Sequence, residues 1–300
     1  MTIRFDGRVA IISGAGKGLG RAYAELLAER GCAVVVNNRS HAGQNSTADE
    51  VVAGIVANGG KAVANYDSVE DEAGATRMVS QALTAFGQLD IVLNNAGIGH
   101  GITLHKMSVA EFKRVMDINF YGSLYLTHAA LPHMRLRNYG RIILSTSSAG
   151  LYSNHGMTAY AASKAALIGL GRGLAMEGAK NNINVNIIAP FAYTPMTAPY
   201  HPTDESEAQS PHKVAPVVAW LLSEECGITG ETIIASAGGF RRAEVIESHG
   251  VTLKDGDLTP EGVAASWERI SDMKDAHTFA NAHLAYQDIV EMATGRRPGV

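Results

Sequence analysis

The chain has 300 residues, 46% of them apolar and 18% charged, with a formal net charge of -4. That composition supports a sizeable buried core and excludes global disorder. The slightly acidic, interspersed charge carries no footprint for nucleic acid or an anionic membrane surface.

Short β-branched runs at residues 9–13, 33–37, 61–66, 89–94, 141–147 and 183–189 read as strands. Between them, residues 21–30, 48–58, 72–86, 111–137 and 159–178 carry apolar side chains at three- and four-residue spacing, and several of these segments stop at Gly, so they read as helices. This alternation predicts an α/β fold: a Rossmann-like doubly wound parallel sheet with helices on both faces, joined by right-handed crossovers. Residues 194–213 have no period and are rich in Pro, Ser, Thr, His and acidic residues. They follow the sixth strand, at the carboxyl edge where such sheets bind ligands, and so read as a lid. The lid sets His201, His212 and Lys213 against Asp204, Glu205 and Glu207.

A last short strand is expected at 232–235, followed by a helical C-terminal tail with one helix opening at Thr259-Pro260-Glu261 and another near 279–293. The expected organisation is a dinucleotide-binding and catalytic domain over residues 1–240 and a helical extension over 241–300. Nothing is long enough to span a bilayer, and no signal-peptide run opens the chain. Cys32 and Cys226 fit no metal or disulfide spacing, so both are expected in the core of a cytoplasmic protein without a metal.

The first strand runs directly into Ser13-Gly14-Ala15-Gly16-Lys17-Gly18-Leu19-Gly20 and then a helix. Glycines let the backbone approach a pyrophosphate, whose charge is met by free N–H groups and the positive end of the helix dipole. The spacing is G-x-x-x-G-x-G through Gly14, Gly18 and Gly20, not G-x-G-x-x-G. In dinucleotide folds an acidic residue about 20 positions on bonds the adenosine ribose; this chain has Asn38 followed by Arg39 there. Losing that carboxylate removes repulsion against a 2′-phosphate, and Arg39 matches the phosphate as a bidentate donor. NADP(H) is therefore favoured, with NAD(H) left possible through a ribose bond from Asn38.

Later in the chain stand Asn94-Asn95-Ala96-Gly97 and Tyr160-x-x-x-Lys164. With these four motifs in order, residues 5 to 240 resemble the short-chain dehydrogenase/reductase family. Segments 13–23, 59–69 and 163–190, and the tail around 258–261 and Trp267, resemble the (3R)-hydroxyacyl-CoA and 17β-hydroxysteroid dehydrogenase domains of peroxisomal multifunctional enzymes. Independently of the resemblance, Tyr160 and Lys164 lie four residues apart on one predicted helix and share a face. A neighbouring ammonium is expected to lower the phenol pKa from about 10.

The resemblance implies that Tyr160 exchanges a proton with the substrate oxygen, Lys164 bonds the nicotinamide ribose, Ser147 bonds the substrate oxygen and Asn119 holds a relay water. It adds Lys17, Leu19, Asp67, Ser68, Asn94, Ala96, Gly97, Pro190 and Thr194 to the cofactor set, with Asp67 on the adenine amine, Asn94 shaping the groove, and Pro190 and Thr194 at the carboxamide. Phe191 stands where the family pattern has Gly. His155 is expected as a wall of the substrate pocket, because no nucleophile and acid accompany it as a triad.

The implied activity is interconversion of a secondary alcohol and a ketone on an acyl-CoA, a steroid or another small molecule. A general carbonyl or acyl-carrier-protein reductase is the alternative, and a non-catalytic dinucleotide-binding scaffold a remote one. Gly169, Gly171 and Gly173 on the helix at 159–178 point to close packing, and the resemblance implies a homo-oligomer, dimer or tetramer.

Overall fold

A computed structural model of the chain describes residues 2–40, 46–99, 101–200 and 206–298. The first half alternates without exception: β1 (Val9–Ile12), α1 (Gly18–Glu29), β2 (Ala33–Asn37), α2 (Thr47–Ala57), β3 (Lys61–Asn65), α3 (Glu72–Phe86) and β4 (Ile91–Asn94). Then come α4 (Val109–Met116), α5 (Gly122–Arg137), β5 (Gly140–Ser145), α6 (Ser148–Tyr152), α7 (Thr158–Gly178), β6 (Ile183–Phe191), α8 (Ala215–Leu222), β7 (Thr232–Ser236) and β8 (Gly239–Ala243). Among the described residues the strands form one sheet in the order β3-β2-β1-β4-β5-β6-β7-β8, parallel except for the β7–β8 pair.

Strand side chains alternate between two faces, and both faces are covered. Ala10, Ile12, Val34, Val36, Ile91, Leu93 and Ile143 join one apolar core with α1, α2 and α8. Val9, Ile11, Val35, Val92, Ile142 and Leu144 join the other with α3, α5 and α7. This is the doubly wound Rossmann-like sheet that the alternation predicts.

Several details differ from the periodicity. The helix expected over 111–137 is broken by a π-helical turn, Asp117–Tyr121, in which the Gly122 amide reaches back to the Asp117 carbonyl. The fifth strand stops at Ser145, because Ser147 turns to cap α6, accepting from the Ala149 amide at 3.1 Å. Helix α8 is apolar nearly all round and packs against α1, so it shows no helical stripe in the sequence. Strand β8 follows a tight turn in which Ala237 (φ 50) and Gly238 (φ 82) are both left-handed, the geometry that suits a two-residue hairpin. Phe191 continues β6, paired with Ser236 of β7.

The chain divides into two compact units, Met1–Ala243 and Glu244–Val300. The second begins only at Glu244 because β8 belongs to the sheet. It holds α9 (Pro260–Ala265), α10 (Trp267–Ile270) and α11 (Ala282–Thr294), with a short bridge between Glu247 and His277. Thr259 caps α9 with its hydroxyl 3.0 Å from the Gly262 amide, and Pro260 opens the first turn. No helix among the described residues is long and apolar enough to cross a membrane.

Candidate active site

At the carboxyl edge of the sheet, the segments after β1, β2, β4, β5 and β6 converge on a cleft of about 400 Å³. The glycine-rich turn forms one wall with Gly14, Lys17, Gly18 and Leu19. Gly14 has φ 64, and a Cβ there would sit 2.9 Å from the Ala96 backbone, so only Gly lets the turn lie against the β4 segment. Gly16, absent from the predicted spacing, is pressed against Thr47 and Asn38 closely enough that any Cβ would overlap them. The last glycine, Gly20, does not line the cleft; it packs beneath it on Gly14 and Ala15.

Two residues that the motifs did not single out hold this wall in place. Ser13 Oγ accepts from the amides of Asn95 and Ala96 at 3.0 and 3.1 Å. The Asn95 amide nitrogen donates to the Ser13 and Gly14 carbonyls, each at 3.1 Å. Asn95, Ala96 and Gly97 line the cleft, whereas Asn94 does not. Its carboxamide is turned to α5, donating to Thr127 Oγ1 at 2.9 Å, because consecutive residues at a strand end point to opposite faces. Of this pair, Asn95 and not the expected Asn94 is the residue that lines the groove.

The end of the cleft expected to take adenosine is lined by Asn38, Arg39, Asp67 and Ser68. Asn38 donates to Thr47 Oγ1 at 2.9 Å, and Arg39 Nη1 lies 3.4 Å from Glu70 Oε1 in an exposed ion pair. The Asp67 carboxylate is braced on both oxygens: Arg77 donates to one at 2.8 Å and Asn65 to the other at 2.9 Å. Buried Asn37 donates to Asn65 Oδ1 and to the Asp67 carbonyl, so a polar network beneath the cleft orients this loop.

Tyr160 and Lys164 face the cleft from α7, and Pro190 and Thr194 line its far side. Thr194 touches the glycine turn at Gly18 and is itself pinned by Thr197, whose hydroxyl accepts from the Thr194 amide at 2.8 Å and donates to the Ala192 carbonyl at 2.7 Å. Of the predicted lid, His201, Asp204 and Glu205 lie outside the described residues; single 3-10 turns form at Ala198–Tyr200 and Pro211–Lys213. His155 is exposed between α6 and α7 and is not among the residues lining the cleft.

The nearby Ser147 hydroxyl favours the Tyr160 phenolate, but burial outweighs this and holds the phenol above its ordinary value of 10; Ser147 itself is not among the residues lining the cleft. Lys164 is buried, with Nζ donating to the Ser145 carbonyl at 2.6 Å and 5.8 Å from the centre of the Tyr160 ring. Burial lowers its amine from 10.5 to about 8. The lowering of the Tyr160 phenol expected from the lysine is thus not present in the protein groups alone: the ammonium is aimed at a carbonyl and carries its own desolvation burden.

Asn119 sits in the π turn, fully buried, with both hydrogens of its carboxamide nitrogen engaged. It accepts from the Ile98 amide at 2.8 Å and donates to the Ile98 carbonyl at 3.0 Å and to Ser163 Oγ at 2.9 Å. Its oxygen also approaches Gly97, where a Cβ would lie 3.1 Å from it and 3.3 Å from Lys164 Nζ. The side chain clamps the β4 segment to α7.

A short chain dehydrogenase family pattern matches residues 8–205, which carry the glycine turn, Asn119, Ser147, Tyr160 and Lys164. The chain belongs to the short-chain dehydrogenase family. It is an oxidoreductase of a family that uses NAD(H) or NADP(H). It is 42% identical over 297 residues to the peroxisomal multifunctional enzyme type 2 of Mus musculus, covering 97% of this chain and 40% of that one. A short-chain type dehydrogenase/reductase of Mycobacterium tuberculosis is 43% identical over 274 residues, covering 90% of this chain and 96% of that protein. Full-length peroxisomal multifunctional enzyme type 2 from Drosophila melanogaster superposes with a TM-score of 0.83 at 37% identity, over 96% of this chain and 50% of that one. This short-chain dehydrogenase thus spans half or less of these two multifunctional enzymes and nearly all of the mycobacterial protein.

Proposed function

We propose that this chain interconverts a secondary alcohol and a ketone, with a (3R)-hydroxyacyl-CoA and its 3-oxo product as the leading substrate class and a steroid-like alcohol beside it. The observation that carries the reading is that Tyr160 and Lys164, one helical turn apart on α7, both line the cleft across from the glycine turn. A bound nicotinamide supplies the hydride acceptor or donor. Tyr160 exchanges the proton with the substrate oxygen, Ser147 bonds that oxygen as well, and Lys164 reaches the ribose side of the cleft. Asn119 is a positioning residue that keeps Gly97 and α7 together. A dinucleotide scaffold without turnover would gain nothing from a buried lysine, which costs stability wherever it is charged.

The test follows nicotinamide absorbance with a medium-chain (3R)-hydroxyacyl-CoA, NAD and NADP in parallel, and an estradiol-like alcohol as second substrate. Turnover of the acyl-CoA supports the substrate class. Silence on both, with dinucleotide still bound, discards that class and leaves a carbonyl or acyl-carrier-protein reductase.

NADP(H) is the favoured cofactor, because Arg39 lines the adenosine end and no carboxylate occupies position 38. Glu70, paired with Arg39, is a built-in competitor for the 2′-phosphate. Arg39→Gln is expected to weaken NADPH binding roughly 10- to 100-fold, the size of charge-assisted hydrogen bonds, with little change for NADH. Glu70→Gln should strengthen NADPH binding about two- to fivefold, the scale of an exposed ion pair. Fluorescence titration reads both; equal losses for the two dinucleotides in Arg39→Gln would overturn the preference.

Assembly through α7 is part of the same reading. Gly169 and Gly173 are exposed with nothing near their Cβ positions, whereas Gly171 packs inward on Ile187 and leaves the proposed stripe. The two cysteines are free and buried, which suits a reducing compartment such as the cytoplasm.

A further inference from the structure

The amino edge of the sheet, opposite the dinucleotide cleft, holds a second cavity of about 550 Å³, lined by Arg8, Arg137, Tyr139, Arg141, Asn182 and Glu224 among others. Three guanidinium groups meet there. Arg8 lies over the Tyr139 ring at 3.7 Å and Arg141 at 4.5 Å, so the ring holds two cations near one another. Asp90, fully buried, bonds Arg8 at 3.2 Å and stands 3.7 Å from Arg137; its other oxygen takes the Val9 amide at 2.9 Å and Gln88 at 2.6 Å.

Among the described residues, no carboxylate pairs with Arg141. Its donors go to the carbonyls of Ser223, Gly140 and Asn182 at 3.2, 2.9 and 3.0 Å, and to the Asn182 amide oxygen at 3.3 Å, although the residue is buried. Buried cations ordinarily carry a counterion. The remaining carboxylate is Glu224, paired with Arg8 from a side chain that is 60% exposed. An ion pair so open to water is weak and easily exchanged. With Glu224 turned to solvent, three guanidiniums face one buried carboxylate, leaving two positive charges beside an accessible cavity.

We propose that this cleft is an anion site for a phosphate-class dianion, which displaces Glu224 and is held by the Arg8 and Arg137 guanidiniums with Arg141 behind them. Tetrahedral oxyanions suit it because guanidinium forks bind them through paired N–H donors. Glu224 acts as the internal stand-in that occupies Arg8 between ligands.

Inorganic phosphate is the probe, titrated against the thermal midpoint at constant ionic strength held with chloride. Saturating dinucleotide keeps the glycine turn from contributing. The expected result is a saturable rise in midpoint that chloride does not reproduce. Arg137→Gln should raise the half-saturating concentration roughly tenfold or more, as for a lost charge-assisted contact, and Glu224→Gln should lower it about two- to fivefold. Dinucleotide titrations of both variants should match the wild type, which shows that they fold. A wild-type protein indifferent to phosphate, or a response undiminished by Arg137→Gln and unimproved by Glu224→Gln, would overturn the site.

Discussion

Tyr160→Phe is expected to lower turnover by about 100- to 10,000-fold, the usual weight of a positioned acid/base, while dinucleotide affinity stays as it is. The substitution removes one oxygen and keeps the ring that lines the cleft, so binding and chemistry separate cleanly. Single-turnover absorbance and a fluorescence titration measure the two; near-normal turnover would remove Tyr160 from the mechanism. The pH profile adds a signature. Burial holds the phenol above 10 and Ser147 pulls it back, so alcohol oxidation, which needs the phenolate, should climb with pH across the neutral and mildly alkaline range. Ketone reduction, which needs the phenol, should not climb. Ser147→Ala should push the oxidation profile to still higher pH.

Lys164→Met should abolish most activity and yet make the protein more stable at neutral pH, by an amount on the order of 1–3 kcal/mol. The folded amine titrates near 8 against 10.5 in its ordinary state. Below pH 8 both states are protonated, and the folded one carries the full cost of a buried ammonium. Between about 8 and 10.5 the folded state sheds its proton first, so the wild type gains stability as pH rises and the advantage of the methionine shrinks. Part of the gain is offset by the Ser145 carbonyl, which loses its donor. Urea unfolding at pH 7 and pH 10 measures the difference; a variant less stable at pH 7 would show that the ammonium is not a burden. The pattern is a stability cost located at a functional residue.

The fold and most of the cleft were readable because their signals are local. The β-branched runs, the glycine turn and the spacing of Tyr160 and Lys164 each follow from one short stretch of chain, and the cleft forms where those stretches end. What stayed hidden depends on partners far away in sequence. Asn94 and Asn95 look interchangeable until Thr127 claims the first and Ser13 the second. Gly16 matters through Thr47, thirty-one residues on. The fall in the Tyr160 phenol, argued from a neighbouring lysine, overlooked burial, which acts on both groups, raising the phenol and lowering the amine. Helix α8 lacks a polar face to mark its period, and β8 has little burial to mark it as a strand.

The π turn at Asp117–Tyr121 is, in effect, a stored phase shift. Every residue of a regular helix advances by about 100°, so one surplus residue rotates everything on one side of it relative to the other by that amount. Here α4 and α5 each present their own buried face, while Asn119, at the seam, points at Ile98 and Ser163. Deleting Ile118 would restore a continuous helix, and the two faces could no longer both be buried with Asn119 still aimed at its partners. A one-residue deletion at this seam would then act on the surroundings of Lys164 through angle alone, and the register of this helix becomes as much a part of the site as the side chains it presents.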